Sequence, residues 1–352
     1  MTVTPRPHAT TSSGAEVSRR RPTIEDVAAV SGVSRGTVSR VLNGKRWVSP
    51  ESRDAVLAAI KSTGYRANVA ARTLASSRSR SIAFLLTEPQ QLLFEDRNLA
   101  KVLQGCGDAL GEQELTLVML TAATDAEKTR ALDFLAGGAV DGVLIVSTHE
   151  GNRDLIRSIT DLGLPLVVFG VPFGFEHSVS YVTVDDVSGS RAMMNLLLGL
   201  GRDKVGMIAG PQDMSGGRDR LAGYREALGA DFDPTLVEFG DFSRDSGATA
   251  MRALLARHPD LGAVFAANDR MARAAIEVLV ASGRRVPEDV AVGGFDDAPE
   301  AVESHPHLTT LDQPFDRLSR EGVRLLGEMI EGSGVAAVRL PATLIERRST
   351  AR

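Results

Sequence analysis

In the run "GVSRGTVSRVLNG", residues 32–44, Arg35 and Arg40 lie five residues apart among short polar side chains. A guanidinium presents paired N–H donors that match the O6 and N7 acceptors of guanine in a DNA major groove. Gly36, with no side chain, allows a close approach there. Ser34, Thr37 and Asn43 are short enough to reach phosphate oxygens, contacts that set register and carry no sequence information. A second set of residues lies far downstream. Asn268 ends the apolar run "AVFAAND", Asp296 ends "VAVGGFDD", and Arg218 opens the helical stretch that follows "KVGMIAG". An amide, a carboxylate and a guanidinium converging on a cleft would supply donors and acceptors in fixed directions, as hydroxyl-rich ligands need. Asn and Asp also favour turns and caps at such positions, so the residues alone leave both readings open.

The elements around the first set are legible. "TIEDVAAVSG" starts a helix with Thr23 as N-cap and Asp26 three positions on, and closes it at Gly32. Ser34 caps a second helix in which Val38, Val41 and Leu42 share one face. A rotation of about 100° per residue puts Arg35, Gly36, Ser39, Arg40 and Asn43 on roughly the opposite side. Ser49 and Pro50 begin a third helix that runs to Gly64. Two helices joined by the turn "SGV" and braced by a third form a helix-turn-helix unit whose second helix has the dimensions to enter a major groove.

Charge supports this division. The chain carries a net charge of −5, yet residues 1–80 hold 14 Lys and Arg against 5 Asp and Glu. A basic N-terminal module on an acidic body implies that only the first part meets a polyanion. Residues 1–21 are rich in Ser, Thr and Pro without an apolar core, and read as a disordered arm rather than a signal peptide. A single cysteine, Cys106, excludes an internal disulfide and a zinc–cysteine cluster and reads as a buried thiol. No apolar stretch is long enough to span a membrane, and a cytoplasmic, nucleoid-associated location is expected.

With these residues in view, "TIEDVAAVSGVSRGTVSRVLNG" followed by "VSPESRDAVLAAIKSTGYRANVAARTLAS" resembles the N-terminal signature of the LacI/GalR family of bacterial transcriptional repressors. The resemblance implies that Arg35, Gly36 and Arg40 are the variable base readers. It also implies that residues 67–79 contain a hinge helix that folds when two copies pair on DNA, with Leu74 wedged between base pairs in the minor groove. The composition agrees: "RANVAARTLASSRS" is Ala-rich, too short to be stable alone, and holds Leu74 away from any apolar stripe.

Beyond Arg80, short apolar runs alternate with longer amphipathic stretches, the pattern of a parallel, doubly wound α/β sheet, and some 270 residues suffice for two such halves. Ligands in these folds sit beyond the carboxyl ends of the strands. The same segments, with "LTTLDQPF" at 308–315, resemble the effector-binding domain of that family, itself similar to periplasmic sugar-binding proteins. This implies Arg218, Asn268 and Asp296 as the main polar contacts of a small-molecule effector, a sugar or sugar derivative, with Thr87 and Gln313 as secondary ones. One position departs from the family pattern: Gly170 stands where a polar ligand residue is usual, with Phe173 and Phe175 close behind, which would widen the pocket or substitute aromatic stacking.

The expected organisation is therefore an arm (1–21), a helix-turn-helix domain (22–66), a hinge helix and linker (67–79) and an effector-binding and dimerisation domain of two α/β subdomains (80–352). Enzyme classes find no footing: no Gly-rich turn follows the first strand, and G-x-S-x-G, Walker and H-E-x-x-H motifs are absent. The pair His305 and His307 reads as a turn, not a metal site, and no cofactor is expected. A solute-binding protein for a transporter is opposed by the basic module and the missing export signal. One recognition helix reads few base pairs, so a homodimer on palindromic operator DNA is expected, and the C-terminal "LPATLIERRSTAR" contains no leucine heptad for further assembly.

Overall fold

The computed structural model describes residues 22–42, 47–65, 78–147, 149–202 and 204–351. The chain divides into two compact units at Ser79/Arg80.

In the first unit, α1 (Ile24–Ser31) begins where the Asp26 carboxylate accepts from the Thr23 N–H at 2.7 Å and its hydroxyl at 2.9 Å. The helix ends at Gly32, whose φ of +68° suits glycine. Ser34 Oγ accepts from the Thr37 N–H at 3.1 Å and starts α2 (Arg35–Leu42); Ser49 and Pro50 open α3 (Pro50–Thr63). Val27, Val38, Val56 and Ala59, one or two from each helix, are buried together and close the bundle.

The second unit has two lobes. In the first, β1 (Ser81–Leu86), α4 (Gln90–Glu95), α5 (Arg97–Glu112), β2 (Thr116–Thr121), α6 (Asp125–Ala136), β3 (Gly142–Val146), α7 (Arg153–Asp161), β4 (Leu166–Phe169) and β5 (Ser180–Val184) follow in chain order. The second lobe holds α8 (Asp186–Gly199), β6 (Val205–Ala209), α9 (Ser215–Leu228), β7 (Val237–Phe239), α10 (Arg244–Arg257), β8 (Ala263–Ala266), α11 (Asp269–Ala281), β9 (Ala291–Gly293), α12 (Pro299–Glu303) and β10 (Thr310–Asp312). The chain returns to the first lobe for α13 (Phe315–Ile330) and β11 (Ala337–Leu340), and crosses once more to β12 (Thr343–Ile345). The first sheet is six-stranded in the order β11-β5-β4-β3-β1-β2 and the second four-stranded in the order β7-β6-β8-β9, every pairing within them parallel. The doubly wound α/β architecture expected from the alternating pattern is present in both lobes.

Alternation along one strand explains why these runs are apolar throughout. Ile82, Phe84 and Leu86 of β1 pack with Val102, Cys106 and Leu326 on one face of the sheet, while Ala83 and Leu85 join Leu135 and Ile156 on the other. Cys106 is fully buried, and burial pushes its thiol up to about 12, an inert packing group as expected. The strands not read from the sequence carry polar residues or are only three residues long: β5 is "SYVTV", β11 is "AVRL", and β7, β10 and β12 are short.

The three crossings between lobes, at residues 184–186, 312–315 and 340–343, lie side by side. The Asp185 N–H donates to Leu340 O at 2.7 Å, and Asp312 pairs with Thr343 in the antiparallel β10–β12 ladder.

Helices α5 and α13 approach closely at Gly105, where a Cβ would stand 2.7 Å from both Ser319 Cβ and Oγ. Ser319 is itself buried and donates to Phe315 O at 2.8 Å, so it has little room to yield. Gly105→Val is expected to lower stability by about 1–3 kcal/mol through overpacking, read as a shift in the urea unfolding midpoint; an unchanged midpoint would contradict the tight approach.

Candidate functional site

On the first unit, Ser34, Arg35, Gly36 and Arg40 are exposed and Thr37 is half-buried, while Val38 is buried. Arg35 rests against Glu25 at 3.3 Å, an ion pair exposed on both sides and weak for that reason. A Cβ on Gly36 would meet only Ser34 Oγ at 3.7 Å and Arg40 Nη2 at 3.8 Å, ordinary contact distances. Packing within the unit therefore does not require glycine at this position, and its bareness opens a gap on the outer face. Asn43 and Leu74 lie outside the described residues.

In the second unit a cavity of about 620 Å³ opens between the lobes at the carboxyl ends of both sheets, where ligands of doubly wound folds bind. At its floor lies Arg220, fully buried. Its Nε donates to Asp186 Oδ1 at 2.8 Å, its Nη1 stands 3.3 Å from Asp296 Oδ1 and 2.5 Å from Ala267 O, and its guanidinium carbon lies 3.8 Å from the centre of the Phe295 ring. Burial works against its charge, and the two carboxylates more than compensate, so Arg220 holds its proton more tightly than a free arginine.

Burial pushes the Asp296 carboxyl up to about 7 against the pull of Arg220. The backbone of Asp296 has a φ of +111°, a strained value for a non-glycine residue, and its N–H donates to Leu311 O at 2.7 Å. Asp296 is also where the lobes meet. Asn98, near the start of α5 in the first lobe, donates from Nδ2 to Asp296 Oδ2 at 2.8 Å, and Gln313 on the crossing segment donates to Oδ1. Behind it, burial raises Asp269 well above the ordinary carboxylate range, and Thr310 and Ala298 donate to it at 2.6 and 2.8 Å. Asn268 caps α11 by accepting from the Met271 N–H at 2.9 Å and lines the cavity, so it is both a cap and a wall residue.

Three sequence expectations need correction. Arg218 does not line the cavity: it lies on the outer side of α9, half-exposed, 4.2 Å from the Phe173 ring and paired with Glu150 at 3.3 Å. Two residues along a helix are about 200° apart, which turns Arg220 inward and Arg218 outward. Thr87 is also not in the lining. It is buried and donates to the carbonyls of Val146 and Ser147, tying the ends of β1 and β3. Gly170 lines the cavity, but the aromatic stacking expected beside it is not formed there, since neither Phe173 nor Phe175 is in the lining. Ser215 Oγ accepts from the Val171 N–H at 3.1 Å and would lie 3.0 Å from a Cβ on residue 170, while Phe173 packs beneath Arg218 and Phe175 against the core. Asn268, Asp296 and Gln313 are brought together at the cavity as expected.

Several cavity residues had not been anticipated. Arg220 shares the buried stripe of α9 with Gly217, Leu221 and Tyr224, a helical periodicity visible in the sequence. Asp186 follows the unread strand β5. His149 stands at the mouth between the lobes, its Nε2 2.6 Å from Glu88 Oε1 at the end of β1 and its Nδ1 2.8 Å from Asp213 Oδ2 after β6. His305 and His307 stack on each other in a bend after α12, and the described residues contain no cluster suited to a metal ion.

The residues matched by known families follow the same division. Residues 23–68 match the description "Bacterial regulatory proteins, lacI family", and residues 194–350 match "Periplasmic binding protein-like domain". The HTH-type transcriptional regulator CelR of Thermobifida fusca is 48% identical over 326 residues, 92% of this chain and 96% of that protein. The chain belongs to the LacI family. A solved CelR–cellobiose complex is 45% identical, covers 94% of this chain and all of that one, and superposes with a TM-score of 0.75. The Lac repressor dimer bound to operator and the anti-inducer ONPF is 27% identical, covers 95% and 100% of the two chains, and gives 0.83. As a member of this family the chain is a helix-turn-helix transcriptional regulator with a small-molecule effector, as the sequence resemblance implied. No helix among the described residues is long and apolar enough to cross a membrane.

His149 generates a pH prediction. Its hydrogen bond to Glu88, then that to Asp213, raise the imidazole to about 9 against the opposing effect of burial. A group raised in the folded state stabilises it fully below its ordinary value near 6.5, and the benefit disappears as pH climbs through about 9. The stability difference between wild type and His149→Gln is expected to be roughly 1–3 kcal/mol near pH 6 and to shrink as pH rises from about 6.5 to 9. Thermal unfolding of both proteins across that range checks it; a pH-independent difference would remove the charge from the explanation.

Proposed function

We propose that the protein is a repressor that binds a palindromic operator as a homodimer and changes its operator affinity when a sugar occupies the cavity between its lobes. The observation that carries the reading is the junction at Asp296, where side chains from both lobes converge on one carboxylate beside a buried arginine. A ligand that replaces or adds to those hydrogen bonds changes the relative stability of the open and closed lobes. Only such differential binding can move a regulator between two states, typically by about 1–3 kcal/mol of coupling.

Arg35, Gly36 and Arg40 read bases in this scheme, Ser34, Thr37 and Asn43 hold phosphates, and residues 67–79 supply the hinge whose Leu74 wedges into the minor groove. Residues 22–66 act as the DNA-binding domain and 80–352 as the effector and dimerisation domain. Arg220, Asp186, Asn98, Asn268, Asp296 and Gln313 contact the effector, with Arg220 taking the role that sequence matching gave to Arg218. Such a regulator acts without catalysis, in the cytoplasm where the chromosome lies. The cellobiose in the solved CelR complex makes cellobiose the first effector to try.

Fluorescence anisotropy on palindromic DNA from upstream of the gene, against random duplex at fixed salt, tests the whole reading. A preference of at least about 10³ for the palindrome, altered by cellobiose or another sugar, is the expected result. Equal, weak and salt-sensitive binding to both duplexes would defeat it. In the same assay Arg40→Ala is expected to lose about 1–3 kcal/mol on the operator and little on random DNA, whereas Thr37→Ala weakens both alike. Asp296→Asn is expected to retain operator binding and lose at least about tenfold in sugar response; an intact response would place the effector elsewhere.

A further inference from the structure

The charges lining the cavity are unevenly available. Three of its lining side chains are cationic, and each already faces carboxylates of the same lining. Arg220 is held by Asp186 and Asp296. His149 lies between Glu88 and Asp213. Arg270 stands 3.9 Å from Asp96. Two further lining carboxylates, Glu95 from the first lobe and Asp241 from the second, have no cationic partner among the described residues. Hydrogen bonds from Ser243 and Ser246 hold the Asp241 carboxyl below its ordinary range, so it is ionised at neutral pH.

Several helix starts that open on the cavity are also taken. An N-terminus attracts anions through its free N–H groups, but Asp96 accepts from the Asn98 N–H at 2.9 Å, Asp185 from the Ser188 N–H at 3.2 Å, and Asn268 from the Met271 N–H at 2.9 Å. The starts of α9 and α13, which also line the cavity, carry no side-chain cap, and Asp213 lies two residues before α9. Acceptors, by contrast, are in surplus. Asn98 Oδ1 is buried with no hydrogen-bond partner, an acceptor that a ligand hydroxyl would satisfy.

We infer that this cavity selects uncharged polyhydroxylated ligands and rejects their phosphorylated or carboxylated forms, with Glu95 and Asp241 strengthening the rejection. The inference rests on the reading that the cavity takes a sugar. An anionic group entering here meets no free cation and exchanges its water for a wall of like charge, and such juxtaposition is how binding sites exclude wrong partners. A neutral sugar brings hydroxyl donors to the carboxylate oxygens and to Asn98 Oδ1, and has no charge to desolvate. The reaction that supplies the effector must then leave its hydroxyls free: hydrolysis of a glycan or uptake without phosphoryl transfer, and not uptake coupled to phosphorylation.

Isothermal titration calorimetry of the full-length protein with cellobiose, gentiobiose and maltose, each beside its 6′-phosphate, and with cellobionate tests the inference, operator anisotropy being read in parallel. At least one neutral disaccharide is expected to bind, with its phosphate at least about 100-fold weaker, and the Glu95→Gln/Asp241→Asn double variant is expected to narrow that gap by at least about fivefold through gained affinity for the phosphate. A phosphate that binds within about threefold of its neutral parent, or more tightly, overturns the inference and leaves the sugar-controlled regulator standing. A protein that binds its operator but none of these sugars, charged or neutral, removes the sugar reading and this inference with it.

Discussion

A guanidinium removed from water must be surrounded by acceptors or it unfolds the site that holds it. Arg220 imposes that condition on the second unit. Asp186 has to arrive from the end of β5, Asp296 from the end of β9 and the Ala267 carbonyl from the end of β8, so three strand ends are brought to one point. Phe295 covers the flat face of the same group. The arrangement is costly, and removing either partner would strand a buried charge. Its return is orientation: Asp296 is held with one oxygen beside Arg220 and Gln313 and the other toward Asn98 of the opposite lobe.

That geometry places ligand recognition and lobe closure on the same atoms. The Asn98 amide crosses the cleft to reach Asp296, and His149 crosses it at the mouth to join Glu88 with Asp213. Arg218 adds a further tie from the outer side through Glu150 and Phe173. The cleft is thus bridged by charge and hydrogen bonding, so the ions and hydroxyls of a ligand compete directly with the groups that link the lobes. In an apolar seam the same ligand would have to displace packed methyl groups, with far less chemical selectivity.

Much of this fold was legible because parallel strands buried on both faces must be apolar throughout, and such runs stand out between amphipathic helices. The helix ends were legible for a different reason: Thr23, Ser34, Ser49, Gly32 and Gly64 each perform a backbone task that few other residues can. What escaped was material whose burial comes from partners distant in sequence. Strand β5, "SYVTV", alternates in polarity yet is sandwiched between β4 and β11, and β11 joins the sheet from 150 residues further along the chain. In the site, Asn268 and Asp296 were found because they end apolar strand-like runs, and Gln313 because "LTTLDQPF" resembles the family's effector domain. Arg218 was preferred to Arg220 because sequence matching ignored the phase of α9, although Gly217, Leu221 and Tyr224 marked the buried side. Asn98 and His149 act across the cleft, and no local pattern announces a partner on the other lobe.

The three crossings between lobes have a mechanical consequence. Two bodies joined by one strand can twist, slide and bend relative to each other. Bodies joined by three adjacent strands, two of them linked by the Asp185–Leu340 hydrogen bond and two by the Asp312–Thr343 pairing, resist shear and retain chiefly one angular coordinate, like a door on a row of pins. Asp296, bonded through its backbone to Leu311 beside one of these pins, sits near the axis, where a displacement of a fraction of an ångström becomes a much larger sweep at the far edge of the lobe. A small molecule gripping that carboxylate works on the short arm of a lever.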